Sequence, residues 1–297
     1  MDFGKLQNIQ KVDFSLPPDD PGSAKLLGRL SAPPGPPGIY VACPVWNHPG
    51  FVGLIYPPGT DPREQLRLYA RHFNSIELNT TYYGVNRANL SRWRSMVAED
   101  FRFVPKLTRH ISHDRRLDGT DAASAENNQS LREDLGATLG PAFLLLPGDF
   151  APAELRRLES FLDAVPSDLQ VAEEFRHPDW FSDRRVFDLL EERAAIAVIT
   201  DTAGRRDVVH QRLTSNTLMV RFVGNSLDPS DFKRLEAWVE KLADWTARGL
   251  RTVYFCLHQP DESHNVELAR FLIQRLNERL GLALRPPEPL ARQQELF

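Results

Sequence analysis

The sequence lacks the features that mark membrane, secreted and disulfide-bonded proteins. No apolar run approaches the ~18 residues of a membrane-spanning helix, which argues against an integral membrane protein. The first residues lack the basic start and apolar core of a secretory signal peptide. Only two cysteines occur, Cys43 and Cys256, and because each lies in an apolar run we expect buried, reduced thiols. These absences predict a cytoplasmic protein that does not bind membranes.

Signatures of nucleotide cofactors and of hydrolytic triads are also missing. The sequence contains neither a Gly-x-Gly-x-x-Gly dinucleotide motif nor a Walker-type phosphate loop. No nucleophile elbow marks a Ser-His-Asp triad. The net charge of −4 argues against a protein whose whole surface binds polyanions, although it leaves room for a local basic patch.

What the sequence does contain is a repeated alternation of short apolar runs and helix-like stretches. Strands of a parallel sheet are buried on both faces and therefore occur as continuous apolar runs. Several of these runs are rich in β-branched or aromatic residues, and most are bounded by turn residues or helix caps. The predicted strands span residues 39–42, 75–78, 102–106, 142–146, 170–174, 197–200, 218–221 and 252–257.

Helical patterns lie between these strands. Asp61 precedes a proline and is a predicted N-cap, and Gly249 is a predicted C-cap. Eight strands alternating with helices favour a closed (β/α)8 TIM barrel over an open doubly wound sheet, and 297 residues are enough for one such α/β domain. The predicted helices span residues 63–73, 151–162, 183–193, 229–248 and 264–280.

The two ends of the chain differ from the predicted barrel at residues 39–283. Residues 1–38 are polar and then rich in proline and glycine, which predicts an N-terminal extension that ends in a stiff linker. Residues 284–297 form a proline-rich segment, predicted to be a flexible tail, that ends in the apolar pair Leu296 and Phe297. An exposed apolar pair after such a spacer has no core to join, so it needs another explanation.

Charged and aromatic side chains follow most of the predicted strands. In a barrel the carboxyl ends of all strands meet at one mouth, so we expect these side chains to converge there. The candidates for acid–base catalysis are Glu77, Lys106, His113, Glu174, Asp201 and His258. The candidates for substrate binding are Trp46, Asn79, Tyr83, Arg116, Arg176, His177, Trp180 and Arg221.

This set of residues suits an anionic substrate. Carboxylates and histidines can supply a general acid and base, while arginine and lysine neutralise a phosphate or carboxylate group. The same carboxylates and histidines could instead bind a divalent metal, but cations at alternating strand ends oppose a dication. We therefore assign no metal ligand, and the sequence leaves the cofactor unknown.

Structural roles are the alternative for each candidate. Glu77 or Glu174 could form an interior ion pair with one of the strand-end cations. His258 could be a hydrogen-bonded core histidine, and Asp201 could lie in a turn. The basic run over residues 102–116 could be a solvated face or the flank of an anion site.

The sequence from residue 46 to about residue 269 resembles the YecE-like proteins, a family known as domain of unknown function 72. The family motif Glu-Phe-Arg-His-x-x-Trp is intact at residues 174–180, and Glu-Ile-Asn-x-Thr-Phe-Tyr occurs as Glu-Leu-Asn-Thr-Thr-Tyr-Tyr at residues 77–83. Phe-x-x-Lys ends at Lys106, and Ile-Thr-His-x-x-Arg-Leu occurs with serine for threonine at residues 111–117. The resemblance implies a TIM barrel. It implies no particular reaction, because the family is named for its undefined function.

The last five residues resemble a different motif. Gln293, Leu296 and Phe297 match the Gln-x-x-Leu-Phe peptide by which bacterial DNA polymerases and repair proteins hold the sliding clamp. In that binding mode the glutamine and two apolar anchors of a disordered segment dock in a groove. The alternative is a frayed tail with a chance match.

Three functions are compatible with these residues. The first is an enzyme that acts on an anionic, phosphate-containing substrate, and the tail suggests nucleic-acid processing or repair as its sharper form. The second is a non-catalytic binder of single-stranded nucleic acid or another polyanion, whose affinity would depend steeply on salt. The third is a sugar-phosphate isomerase or lyase that uses the same side chains.

Overall fold

The computed structural model of the protein describes residues 4–31, 35–119 and 121–290, and of residues 121–123 the backbone alone. The predicted clamp-binding residues Gln293, Leu296 and Phe297 lie outside these ranges. Within them, no helix is both long and apolar enough to cross a membrane.

Nine parallel strands form two sheets in the described ranges. Each predicted strand overlaps an observed one, and the predicted sixth strand is divided in two at Val198. The six-stranded sheet has the order β3-β2-β1-β9-β8-β7, and the three-stranded sheet has the order β4-β5-β6. The strands are β1 (Gly38–Cys43), β2 (Ser75–Leu78), β3 (Arg102–Pro105), β4 (Ala142–Leu145), β5 (Val171–Glu174), β6 (Ile196–Ala197), β7 (Ile199–Asp201), β8 (Thr217–Val223) and β9 (Thr252–His258).

The two sheets approach each other at both of their edges. Single-residue parallel bridges join Phe103 to Leu139 and Lys106 to Phe143, next to β3 and β4. At the other edge Val198 alone separates β6 from β7, and its amide donates to the carbonyl oxygen of Glu173 in β5 at 2.9 Å. The fold is therefore α/β with parallel sheets, as predicted.

Helices follow most of the strands. The five predicted helices are confirmed, with the first shortened to five residues. Asp61 accepts from the Arg63 amide at 2.8 Å, but the helix begins only at Gln65 with Glu64 as its N-cap, so the predicted N-cap role of Asp61 is wrong. Gly249 follows directly after the C-cap Arg248 and has a φ of 113°, which agrees with its predicted role in ending that helix. The helices are α1 (Pro21–Leu27), α2 (Gln65–Tyr69), α3 (Arg87–Arg94), α4 (Asp121–Leu135), α5 (Leu155–Ala164), α6 (Arg184–Glu192), α7 (Pro229–Ala247) and α8 (Asn265–Leu280).

The described part of the N-terminal extension packs against the sheets. In α1, which was not predicted, the buried hydroxyl of Ser23 donates to the Gln211 carbonyl at 2.7 Å and accepts from the Leu213 amide at 2.6 Å. Farther toward the N-terminus, the carbonyl oxygen of Gly4 accepts from the Gly204 amide at 2.7 Å. The extension is thus part of the domain surface over these residues.

The described part of the C-terminal tail also lies against the domain. The Leu284 amide donates to the side chain of Asn277 at 2.9 Å, and the Leu290 amide donates to the Leu54 carbonyl at 2.7 Å. The tail prediction therefore needs correction over residues 284–290, which are bound to the surface rather than free of it.

Side chains from both sheets fill the space between them. Both cysteines are buried free thiols, as predicted, and Cys256 belongs to this inner cluster. A larger apolar cluster joins the strands to the surrounding helices. The inner cluster consists of Ala42, Val104, Phe143, Leu145, Ala172, Ile196, Val198, Met219, Tyr254 and Cys256.

Candidate functional site

Five strands place polar side chains in one layer at their carboxyl ends. Val104, Ala172, Met219 and Cys256 all belong to the apolar cluster between the sheets. Because successive side chains alternate between the two faces of a strand, residues two positions later face the same interior. These later residues are Lys106, Glu174, Arg221 and His258, and Glu77 of β2 joins them by direct contact.

Arg221 is the centre of this layer. Its guanidinium donates from Nε to Oε2 of Glu77 at 2.9 Å and from Nη2 to Oε1 at 3.0 Å, a bidentate arrangement. Nη1 donates to Oε2 of Glu174. Glu77 belongs to the six-stranded sheet and Glu174 to the three-stranded sheet, so one buried guanidinium connects the two.

Two further side chains hold Glu77 in place. Nδ2 of Asn79 donates to Oε1 at 3.1 Å. Nε2 of His258 lies 3.0 Å from Oε2 of Glu77 and 3.2 Å from Nη2 of Arg221, so the tautomer of the ring decides which contact is a hydrogen bond. Burial by itself raises the pKa of Glu77, but the charges of Arg221 and His258 outweigh it and hold the pKa well below its usual value.

Glu174 is paired on both of its oxygens. Nε of Arg176 donates to Oε1 at 3.0 Å, opposite the bond from Arg221. Burial raises the pKa of Glu174, and the two guanidinium groups more than offset that effect, so the net shift is downward. Both glutamates of the layer are therefore ionised at neutral pH. Within the described residues, no three His, Cys, Asp or Glu side chains are grouped so as to hold a metal ion.

Lys106 differs from the other cations of the layer. Its ammonium nitrogen lies 4.4 Å from the ring centroid of Tyr82 and 5.7 Å from that of Phe143. No hydrogen bond or ion pair of this nitrogen is found in the described part of the chain. Burial, followed by the neighbouring charge of Arg221, lowers the pKa of Lys106 to about 8, although Glu77 opposes the shift.

His113 and Tyr82 lie next to Lys106 at the edge of the layer. Their rings meet edge to face with centroids 5.6 Å apart, and Nδ1 of His113 is 2.8 Å from the hydroxyl of Ser112. Burial and then the charges of Lys106 and Arg176 lower the pKa of His113. The imidazole is therefore neutral at pH 7, because its ordinary pKa of about 6.5 already lies below that pH.

Eight of the residues proposed from the sequence thus lie in or beside one layer. Glu77 and Glu174 also have the structural role considered from the sequence, because both form interior ion pairs with strand-end cations. The eight residues are Glu77, Asn79, Lys106, His113, Glu174, Arg176, Arg221 and His258.

Asp201 does not join this layer. It is buried and faces α7, where its Oδ2 accepts from Nε1 of Trp238 at 2.8 Å and its Oδ1 pairs with Arg234 at 2.8 Å. Thr200, two positions after Val198 of the inner cluster, is the register partner of Arg221. Its buried hydroxyl has no hydrogen-bond partner among the described residues. Sequence reasoning missed Thr200, because the apolar run around Val198 does not show which of its residues face inward.

Two residues of the Glu-Phe-Arg-His-x-x-Trp motif have structural contacts instead. Trp180 is fully buried, and its Nε1 donates to the Phe150 carbonyl at 2.6 Å. His177 caps the following helical turn, since its Nδ1 accepts from the Asp179 amide at 3.3 Å. Neither side chain contacts the polar layer through these bonds.

The remaining candidates lie at the surface or near it. Arg116 pairs with Asp149 at 2.8 Å and with Glu154 at 2.5 Å. Trp46 packs edge to face on Trp93, with centroids 5.2 Å apart. The side chain of Tyr83, which follows Tyr82 in the sequence, is 87% exposed.

The basic run over residues 102–116 is divided between both of its proposed roles. Lys106 and His113 enter the layer, whereas Arg109 is exposed and pairs with Asp114 at 3.1 Å. Arg102, at the amino end of β3, lies 5.4 Å from the ring centroid of Tyr40. The run is therefore partly a solvated face and partly the flank of the site.

We expect Arg221→Met to lower the free energy of unfolding by about 3–5 kcal/mol, because it leaves two buried carboxylates without their shared cation. The triple variant Glu77→Gln, Glu174→Gln, Arg221→Met should recover part of that loss, since no buried carboxylate is left without a cation, although Arg176 loses its ion pair with Glu174. Urea unfolding measures both. Arg185→Met is the matched control, because the pair of Arg185 with Asp183 lies at the surface. Equal losses for Arg221→Met and Arg185→Met would contradict the central role of Arg221.

The stability of the fold should also depend on the ionisation of Glu77. Its pKa in the folded protein is lower than in the unfolded chain, where it is about 4.3. The stabilising contribution is therefore complete above that value and is lost as the pH falls through it toward the folded pKa. Urea unfolding from about pH 6 to about pH 3 should show a smaller loss of stability in Glu77→Gln than in the wild type. Identical pH slopes would rule this contribution out.

Comparison with known proteins agrees with the resemblance of the motifs. The profile of a family described as "Protein of unknown function DUF72" matches residues 40–294. The UPF0759 protein YecE of Escherichia coli K12 is 32% identical over 265 residues, which cover 82% of this chain and 94% of YecE. The UPF0759 protein YunF of Bacillus subtilis 168 is 30% identical over 79 residues, which are 26% of this chain and 27% of YunF.

Solved structures of the same family share the fold. The crystal structure of a DUF72 family protein from Enterococcus faecalis V583 at 2.52 Å superposes with a TM-score of 0.60 at 17% identity, over 83% of this chain and 99% of that chain. A second crystal structure of the Enterococcus protein, at 3.10 Å, gives a TM-score of 0.60 at 19% identity, over 85% of this chain and 99% of that one. At this identity the likeness concerns the fold alone, whereas the profile and YecE extend over most of the sequence. The chain belongs to the DUF72 family.

Proposed function

We propose that this protein is an enzyme that acts on an anionic substrate by acid–base chemistry, at one mouth of a closed (β/α)8 barrel that the two sheets form together. Closure is supported at one edge by the bridge between Lys106 and Phe143. At the other edge it is supported by the single residue, Val198, that separates β6 from β7. In a barrel of this kind the carboxyl ends of the strands carry the active site.

The position of Lys106 carries the proposal. An interior ion network that served stability alone would be complete with two glutamates and the guanidiniums of Arg221 and Arg176. Lys106 adds an ammonium group without a carboxylate partner in the described residues. A partly buried cation without a partner costs free energy. An anionic substrate would supply the missing partner.

Lys106 and its neighbour His113 can both exchange protons near neutral pH. The pKa of Lys106 is lowered to about 8 by burial and by Arg221, and the lowered pKa of His113 keeps its imidazole neutral. A general acid or base is most effective when its pKa lies near the working pH. The ionised glutamates and Arg221 would provide a preorganised electrostatic field around Lys106 and His113.

We expect the site to be tested most directly by Lys106→Met. Without ligand, this variant should raise the free energy of unfolding by about 1–3 kcal/mol, because an unpaired cation is removed from the layer. Saturating pyrophosphate should raise the melting temperature of the wild type and leave that of Lys106→Met unchanged, since a ligand stabilises only the state that binds it. Lys233→Met, at an exposed position of α7, is the matched control and should respond like the wild type. Equal stabilisation of all three proteins by pyrophosphate would contradict the proposed site.

Turnover separates an enzyme from a binder. A panel of phosphorylated sugars and 5′-phosphorylated oligonucleotides, followed by mass spectrometry, should yield a product with the wild type and none with Lys106→Met. The alternative of a single-stranded nucleic-acid binder is favoured by Tyr83, because an aromatic ring that is 87% exposed suits base stacking. That alternative requires binding without turnover, a steep salt dependence, and loss of affinity in Tyr83→Ala.

We also propose that the C-terminal residues Gln293, Leu296 and Phe297 bind the replication sliding clamp. The support is the sequence match and its place after a proline-rich segment. Deletion of residues 293–297 should abolish co-purification with the clamp, and the double variant Leu296→Ala, Phe297→Ala should weaken it strongly, because both apolar anchors are lost. A full-length protein that fails to capture the purified clamp would end this proposal.

A further inference from the structure

We propose that Lys106 is the nucleophilic amine of the site and forms an imine with a carbonyl substrate that carries a carboxylate or phosphate group. The inference rests on the proposed function, because it assigns a substrate class to the same site. It would make the enzyme one of the lyase or isomerase type, in which a lysine imine withdraws electrons from the substrate carbon next to it.

The contacts of the layer leave the amine available. Both carboxylates are occupied by guanidiniums, through the bonds from Arg221 to Glu77 and Glu174 and from Arg176 to Glu174. A lysine that paired with either carboxylate would be held as a protonated ammonium. The nitrogen of Lys106 lies instead 4.4 Å from the ring centroid of Tyr82, an aromatic face that binds a cation more weakly than a carboxylate does.

The composition of the chain supports a chemical reason for lysine at this position. Of the 36 cationic residues only six are lysines, and the other thirty are arginines. Arginine stays protonated in proteins and cannot act as an amine nucleophile. If position 106 required only positive charge, the arginine that this chain uses elsewhere would provide it. Lysine, in contrast, can lose its proton. Burial and the charge of Arg221 lower the pKa of Lys106 to about 8, which makes this loss easier.

The reaction balances with the groups present. The unprotonated amine attacks the carbonyl carbon, a C–N bond forms, and the electron pair of the C=O π bond moves to oxygen, which takes up a proton. Loss of that hydroxyl as water, with the remaining proton of the nitrogen, then gives the imine. His113 packs edge to face on Tyr82, the ring that Lys106 contacts, and can donate and accept protons in its neutral form.

Reductive trapping tests the inference. The full-length protein is incubated with sodium cyanoborohydride and dihydroxyacetone phosphate or pyruvate, and the product is analysed by intact mass and peptide mapping. Trapping replaces the carbonyl oxygen by a C–N bond, so the protein mass should rise by that of the probe less one oxygen atom. We expect labelling of Lys106 at about 100-fold the rate of an exposed lysine, because a pKa of about 8 instead of about 10.4 leaves more of the amine unprotonated at neutral pH.

Matched probes and variants separate this inference from simple exposure. Dihydroxyacetone and acetone carry the same carbonyl without the anionic group and should label Lys106 far more slowly. Lys106→Arg keeps the positive charge and should lose the adduct, whereas Lys233→Arg should keep it. Labelling spread over the exposed lysines Lys5, Lys11, Lys25 and Lys233, with Lys106 no faster, would overturn the imine.

The failure of the imine and the failure of the proposed function give different results. Suppose that calorimetry shows dihydroxyacetone phosphate binding to the wild type and not to Lys106→Met, while no adduct is trapped. That result would support the anion site and contradict the imine. Absence of both binding and labelling with all probes would overturn the two together. Labelling of Lys106 by charged and uncharged probes at equal rates would remove the anionic substrate class.

Discussion

The bond pattern of Arg221 is the constraint on which the rest of the site depends. One guanidinium reaches Glu77 in the six-stranded sheet and Glu174 in the three-stranded sheet, so it fixes the distance between them. Both carboxylates are buried, and the charge of Arg221 is the largest effect that offsets the cost of burying them ionised. Asn79, His258 and Arg176 are then ordered by the two glutamates rather than by packing alone. The polar layer is consequently one unit.

The sequence predicted the strands well and their inward faces poorly, for the same physical reason. A strand buried on both faces is apolar throughout, so its position is easy to find, but it has no alternation that shows which side chains face inward. Asp201 ends a strand and is therefore a candidate from the sequence, whereas the register places Thr200 beside Arg221. Trp180 is a candidate as an aromatic residue after a strand, but its indole is bound to the Phe150 carbonyl.

Two of the three missed helices, α1 and α3, have a different cause. In α3, Leu90 is the only buried residue, so the helix has almost no apolar stripe that periodicity could detect. The helix α1 docks through Ser23, Leu26 and Leu27, and its hydrogen bonds go to residues about 190 positions away. Such contacts are decided by tertiary structure, and local sequence cannot supply them. The helices with strong amphipathic patterns, α5 to α8, were predicted from sequence.

The surroundings of the layer differ between its two sides. Residues 4–9 of the N-terminal extension cover a cavity of about 320 Å³ that is bordered by Gly224 and His258, at the ends of β8 and β9. Amides of the loop after β8 are already bonded to side chains, those of Asn225 to Asp231 and of Ser226 to Gln259, so these two amides are not available to a ligand. The opposite side consists of Lys106 with the partly exposed Tyr82 and His113 at its rim. Charge and access therefore coincide at the ends of β2 and β3, which is the position that the proposed function requires for an anionic substrate.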